Sequence, residues 1–229
     1  MERFFIIPNI DIHIATSHFV AGKIQEYCKR EAVVIHPVVD IAPVVSKNPQ
    51  SNIYTLFTHG RLEPGKGVDM LVRVWQELKK TRNDVGLILF GTGSLESELR
   101  AQGIDVRPFD REHTFVDLLS GQYGHIIGVY CSSIDAFGMA SLESQMAGIS
   151  TLILDRGGAR ETMLSSDDDV PVSYLVQGES ELLATISYYM MHKNFPKPLS
   201  NVNFYYKKDD FSLERLSSDI RSVINKTDL

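Results

Sequence analysis

The run Ile53-Tyr54-Thr55-Leu56-Phe57-Thr58-His59-Gly60-Arg61-Leu62-Glu63-Pro64-Gly65-Lys66-Gly67 passes within a few residues from a β-branched and aromatic pattern to a glycine-rich loop. Residues 53 to 58 read as a buried strand. Beyond the loop, residues 68 to 80 place Leu71, Val74, Trp75 and Leu78 on one face of a helix. Strand, glycine loop and helix in immediate succession are the opening of a βαβ unit, which demands a parallel sheet.

The same alternation extends in both directions. Downstream, residues 85–90, 125–131, 151–154 and 172–176 read as further strands. They are interleaved with helices near 94–101, 138–148, 179–192 and 211–225. Upstream, residues 11–16 form a strand pattern and Ser17 an N-cap. Phe19, Val20, Ile24 and Tyr27 recur at helical spacing as one apolar face, and residues 32–36 form the next strand. The pattern predicts an α/β fold with helices on both faces of a parallel sheet. Pro37, Pro43 and Pro49 interrupt any period before residue 52, so 41–51 is taken as a linker between residues 1–40 and a domain over 52–200, with 201–229 as a closing segment. Forty residues are too few to bury a core. They are the last unit of a domain whose beginning is missing, or they pack onto the second series.

Composition narrows the function. The 229 residues are 43% hydrophobic and 23% charged, and mean hydropathy is -0.08, which excludes disordered, collagenous and membrane-bundle classes. Acidic residues (29) outnumber basic ones (23), so the overall field repels a polyanion and nucleic acid is not an expected partner. An anionic ligand must be held by a few local cations and backbone amides. Cys28 and Cys131 stand far apart without histidine neighbours at metal spacing, which predicts two reduced, buried thiols and no zinc site. The apolar start Phe4-Phe5-Ile6-Ile7 ends at Pro8, too short for a signal core or a membrane span.

Two segments can carry chemistry. In the loop 60–67, Gly60, Gly65 and Lys66 have P-loop spacing, but Gly67 stands where the Mg²⁺-binding Ser or Thr belongs. What remains is Arg61 and Lys66 at the mouth of a sheet, either a grip for a diphosphate or a surface turn with two solvated cations. The second segment, Asp135-Ala136-Phe137-Gly138-Met139-Ala140-Ser141-Leu142-Glu143, follows a strand and runs into a helix whose first-turn amides face outward. Glu143 is either a ribose-binding carboxylate or an exposed helical Glu. Gly91-Thr92-Gly93 is half of a dinucleotide fingerprint, with Glu96 where the third glycine belongs, which argues against NAD. Asp167-Asp168-Asp169 follows Ser165-Ser166 and reads as a solvated acidic loop. His59, His113 and His125 are candidates by type alone, with His59 lining the cleft or packing beside it.

Taken together, Gly60-Arg61-Leu62 with Pro64 and Lys66-Gly67, Phe90-Gly91-Thr92-Gly93, the Glu-x7-Glu-like segment 135–143 and Gly157-Gly158 with Glu161 resemble the C-terminal half of retaining GT-B glycosyltransferases, the glycosyl transferases group 1 or family 4. Residues 11–40, with Ala15-Thr16-Ser17 and Val34-Ile35-His36-Pro37-Val38-Val39-Asp40, are similar to the end of that family's N-terminal domain. The resemblance implies a Rossmann-like donor domain, with residues 1–40 the acceptor-side remnant and a last helix crossing back onto it through Phe204-Tyr205-Tyr206 and Phe211. It implies that Arg61 and Lys66 hold the donor diphosphate and that Glu143 binds the ribose. Asp135, one methylene shorter than the family's usual Glu, would meet the sugar. Gly60, Gly91 and Gly93 would shape the donor site, Phe109, Asp110 and Arg111 line the base, and Phe137, Gly138, Met139 and Ala140 supply amides and contacts to phosphate and sugar. The implied reaction is metal-independent transfer of a hexose, mannose or glucose, from a nucleotide diphosphate sugar to a glycan or lipid-linked acceptor in polysaccharide assembly. The implied setting is the cytoplasm, with peripheral membrane association at its inner face as an option. The missing N-terminal domain would be a partner. A donor-binding or regulatory module without catalysis and a P-loop phosphotransferase are the alternatives.

Overall fold

The computed structural model describes residues 12–41, 52–108, 119, 125–164, 173–193 and 208–227. The first layer is small. Strand β1 (His13–Ala15), helix α1 (His18–Cys28) and strand β2 (Ala32–Val34) form a two-stranded parallel sheet with its crossover helix. Ser17 caps α1 as its sequence suggests, its hydroxyl accepting the N–H of Val20 at 3.0 Å. The expected apolar face of α1 is not buried within the described chain: Phe19, Val20 and Ile24 are half-buried and Tyr27 is exposed. Cys28, expected to be buried, is half-exposed because it sits at the last turn of this thinly covered helix; Cys131 is buried, and both are free thiols.

The main layer is a six-stranded parallel sheet. Its strands are β3 (Tyr54–His59), β4 (Val85–Phe90), β5 (Asp105–Arg107), β6 (His125–Tyr130), β7 (Ser150–Leu154) and β8 (Ser173–Val176), in the order β5-β4-β3-β6-β7-β8. The connecting helices are α2 (Val68–Lys79), α3 (Glu96–Ala101), α4 (Met139–Met146) and α5 (Glu179–His192), and α6 (Leu213–Thr227) closes the chain. The chain starts in the middle of the sheet, works outward to β5, then returns to add β6 beside β3. This is the doubly wound arrangement, and its reversal point opens a crevice beyond the carboxyl ends of β3 and β6.

Packing explains why the strands read as continuous apolar runs. Along β4, Val85, Leu87 and Leu89 face one core with Leu71, Val74 and Leu78 of α2 and Leu182 and Ile186 of α5. Ile88 and Phe90 face the opposite core with Phe57, Leu119, Ala147 and Ile149. Burial on both faces leaves no position for a polar alternate. Each such side chain contributes roughly 1.5–3 kcal/mol of transfer free energy.

A third cluster joins the two layers. Phe211, at 0% exposure, packs with Val39, Phe137, Leu142 and Leu164. Its carbonyl accepts the N–H of Val39 at 3.2 Å, and Arg215 of α6 donates to the His36 carbonyl at 2.7 Å. The segment before α6 is thereby tied to the chain following β2. Residues 204–206, 109–111, 113 and 167–169 lie outside the described residues.

Candidate functional site

The crevice predicted by the strand order is a cleft of about 370 Å³ between the loops after β3 and β6, with Thr16 and Pro37 of the first layer on its rim. Among its lining residues are Gly60, Arg61 and Lys66 from one loop and Asp135, Phe137, Gly138, Met139 and Ala140 from the other. Two loops distant in sequence therefore meet in one site. Gly91, Gly93 and Glu143 do not line it. Gly91 and Gly93 lie one layer behind, backing the first loop: the Leu62 N–H donates to the Thr92 carbonyl at 2.9 Å and the Leu95 N–H to the Leu62 carbonyl at 3.0 Å.

Close approach shapes the first loop. A Cβ on Gly91 would sit 1.8 Å from the Gly60 carbonyl oxygen, and one on Gly67 would sit 1.9 Å from that of Cys131. Gly67 heads α2 with φ 73°, a left-handed conformation that glycine adopts without strain. The loop is also fastened to the one after β6. The Gly65 carbonyl accepts the N–H of Ser133 at 2.9 Å and its hydroxyl at 3.0 Å. Glu63, the neighbouring anion, turns away to accept the N–H and hydroxyl of Ser94 at 3.0 and 2.5 Å.

The cations are left facing the cleft. Arg61 is exposed and forms no ion pair among the described residues. The ammonium of Lys66 lies 3.6 Å from a carboxylate oxygen of Asp135. Across from them, Gly138 caps α4 with φ 95°, which leaves the first amides of that helix without intrahelical acceptors. Two cations and a helix start converge on one volume, an arrangement suited to two adjacent phosphates.

Along the cleft wall, where His59 and Tyr130 are lining residues, runs a hydrogen-bonded chain that residue types alone do not reveal. His59 is 5% exposed, with Nε2 2.7 Å from Glu143 Oε2 and Nδ1 2.6 Å from the hydroxyl of Tyr130. Tyr130 in turn bonds Ser144. A carboxylate only accepts, so His59 carries its proton on Nε2, and Nδ1 accepts from Tyr130. Burial pulls the His59 pKa down, with Glu143 opposing, so the ring stays neutral. Burial likewise holds the Tyr130 hydroxyl well above the ordinary tyrosine value. Glu143, a quarter exposed, is thus held by a residue of the cleft wall, His59.

A second cluster lies on the other side of Phe137. Glu161, in the 3-10 turn Gly157–Thr162, accepts the N–H groups of His18 and Phe19 at 2.7 and 2.9 Å, capping α1 from across the fold. Burial opposes its charge, but His36, these amides and the His18 ring outweigh that and hold its carboxyl at about 2.

The sequence of residues 53–190 matches the family described as Glycosyl transferases group 1. The chain belongs to that family. Its 194-residue alignment with the uncharacterized glycosyltransferase YqgM of Bacillus subtilis (strain 168) is 28% identical and covers 80% of this chain and 53% of that protein. This group 1 chain therefore spans about half the length of the curated relative it matches. Its fold is similar to Anabaena Alr3699/HepE in complex with UDP and glucose, with TM-score 0.70 and 16% identity over 93% of this chain and 62% of that one. It is also similar to the pneumococcal O-GlcNAc transferase GtfA in complex with UDP and GlcNAc, with TM-score 0.65 and 15% identity over 95% and 45%. Membership displaces the phosphotransferase alternative. In this group 1 chain the 60–67 loop is braced against Ser133, and Lys66 leans toward Asp135. Among the described residues no helix is long and apolar enough to cross a membrane.

Proposed function

We infer that residues 52–200 bind the nucleotide diphosphate sugar of a retaining hexosyltransferase, without metal. What supports this is the convergence of Arg61, Lys66 and the start of α4 on a single cleft at the sheet's reversal point. Breaking a sugar–diphosphate bond leaves negative charge on the departing phosphate, and interactions that strengthen with that charge accelerate the step. Arg61 is the free fork and Lys66 the point charge. Asp135, 3.6 Å from Lys66, holds the ammonium in place and presents its other oxygen to a sugar hydroxyl. Glu143, bonded to the cleft-lining His59, receives the ribose hydroxyls. The relatives solved with UDP and a hexose support a nucleotide-sugar ligand of this class. Mannose or glucose, a glycan or lipid-linked acceptor and a role in polysaccharide assembly extend the same reading.

The test is calorimetry of UDP-, GDP- and ADP-sugars in EDTA. One nucleotide binds, Arg61→Ala weakens it at least about tenfold through the diphosphate, and Glu143→Gln weakens it through the ribose. Unchanged affinity in both variants refutes the site. Because the chain covers about half of its relative, a donor-binding module lacking its own catalysis is the second reading. Slow donor hydrolysis by this chain alone favours the enzyme, and binding without turnover favours the module.

A further inference from the structure

The cluster beyond Phe137 has a geometry that capping α1 does not require. His18 Nδ1, His36 Nε2 and a Glu161 carboxylate oxygen all lie within 4.8 Å of one another. The His18 nitrogen is 2.9 Å and the His36 nitrogen 3.5 Å from the same oxygen, Oε2. Ligand atoms around a tetrahedral Zn²⁺ at ~2.0–2.1 Å stand ~3.3 Å apart, so each histidine nitrogen is already near that spacing from the shared carboxylate oxygen, and a turn of the exposed His18 ring brings the two nitrogens toward it.

The donors are also oriented before any ion arrives. The His36 ring is stacked on Phe137 at 5.2 Å and lies 5.8 Å from Phe211, which sets its plane. Glu161 is held by the two backbone amides of α1, Oε1 by Phe19 and Oε2 by His18, as outer partners hold a metal-binding carboxylate. His18 is the exposed member, its side chain 70% exposed on a surface cavity of about 420 Å³. Of the two arginines on that cavity, Arg160 is engaged by Asp155 at 2.6 Å and Arg156 donates to the Asp155 and Gln177 carbonyls at 2.9 and 3.4 Å. Two imidazoles and one carboxylate match the donor set that zinc accepts, with a fourth position open to the cavity.

We propose that His18, His36 and Glu161 form a zinc site that staples the β1–α1–β2 layer to the donor-binding sheet. The three ligands come from the head of α1, the segment after β2 and the 3-10 turn after β7, so one ion crosslinks three parts of the chain that share no other covalent tie. The site is separate from the diphosphate grip and stands whether or not the cleft binds a nucleotide sugar. It adjoins the cleft through Phe137, which lines the cleft and stacks on His36, and through Pro37 and Ala159, which line the cleft next to His36 and within the turn that carries Glu161.

The experiment is titration of the metal-stripped chain with Zn²⁺ by calorimetry and with Co²⁺ by visible absorption, followed by thermal melting with and without one equivalent of Zn²⁺. The expected result is one equivalent bound, the intense visible bands of four-coordinate cobalt, and a raised melting temperature. His18→Ala, at an exposed side chain whose backbone cap is kept, folds as wild type. It lowers the affinity at least about tenfold and removes the melting shift. Glu161→Gln provides a second variant with the same expectation. Absence of saturable binding overturns the proposal. So does binding of equal strength in His18→Ala, which would mark adventitious capture by other histidines. Nucleotide affinity in EDTA is read separately, so failure here leaves the donor site untouched.

Discussion

Replacing His59 by Ala tests the hydrogen-bonded wall of the cleft. The imidazole is buried and makes a 2.7 Å bond to a charged carboxylate and a 2.6 Å bond to a buried phenol. A hydrogen bond to a charged group is worth about 1.5–3 kcal/mol, and the vacated ring volume adds a cavity term, so the expected loss is about 3 kcal/mol or more. For a chain of this size that lowers the melting temperature by roughly 6–12 °C. His59→Gln keeps an N–H near the Nε2 position and recovers about half of the loss. Urea denaturation of the three proteins is the assay. The reasoning fails if Ala costs under about 1 kcal/mol or if Gln is the worse of the two. The pH profile supplies an independent check. Burial lowers the His59 pKa, so below about 6.5 the unfolded chain takes up a proton that the folded chain refuses. This contribution is absent above that pH and destabilises progressively as pH falls through the window below it. A flatter profile between pH 7 and 5 in His59→Gln is the expected signature, and an unchanged profile refutes the neutral assignment.

Gly67→Ala places a methyl 1.9 Å from the Cys131 carbonyl at a positive φ, so it costs several kcal/mol and displaces Lys66; reduced thermal stability together with lost nucleotide affinity is the expected pair of readings. Phe211→Ala empties a fully buried position between the closing segment and Val39, Phe137 and Leu142, and costs about 3–5 kcal/mol by denaturant unfolding; a loss near zero would show that the joint between the layers is not packed in solution.

Strong periodicity and length made much of the fold legible. The strand at 85–90 and the helix at 179–192 occupy those residues in the structure, because apolar runs bounded by turn residues leave few alternatives. β5 leaves no legible pattern: it is three residues long, at the edge of the sheet, and offers one apolar residue, Val106, between Asp105 and Arg107. The 3-10 turn at 157–162 is equally silent, because a glycine pair announces a bend and not a helix. For the site, Arg61, Lys66 and the 135–140 segment could be placed at the cleft because strand–loop–helix punctuation fixes where loops emerge. The His59–Glu143 contact could not, since two strands and a helix must assemble before a histidine in β3 meets a carboxylate in α4. The same holds for His18, His36 and Glu161, which share no local spacing and become neighbours only when the first layer docks.

The bracing of Gly65 by Ser133 bears on how a ligand is received. With the two walls bonded to each other, the ordering cost falls on folding and not on association. Complex formation should then proceed with little rearrangement of either wall. The layer carrying Thr16 and Pro37 is likewise held, with Glu161 capping α1 and Phe211 packed on Val39, so the rim of the cradle is set together with its walls.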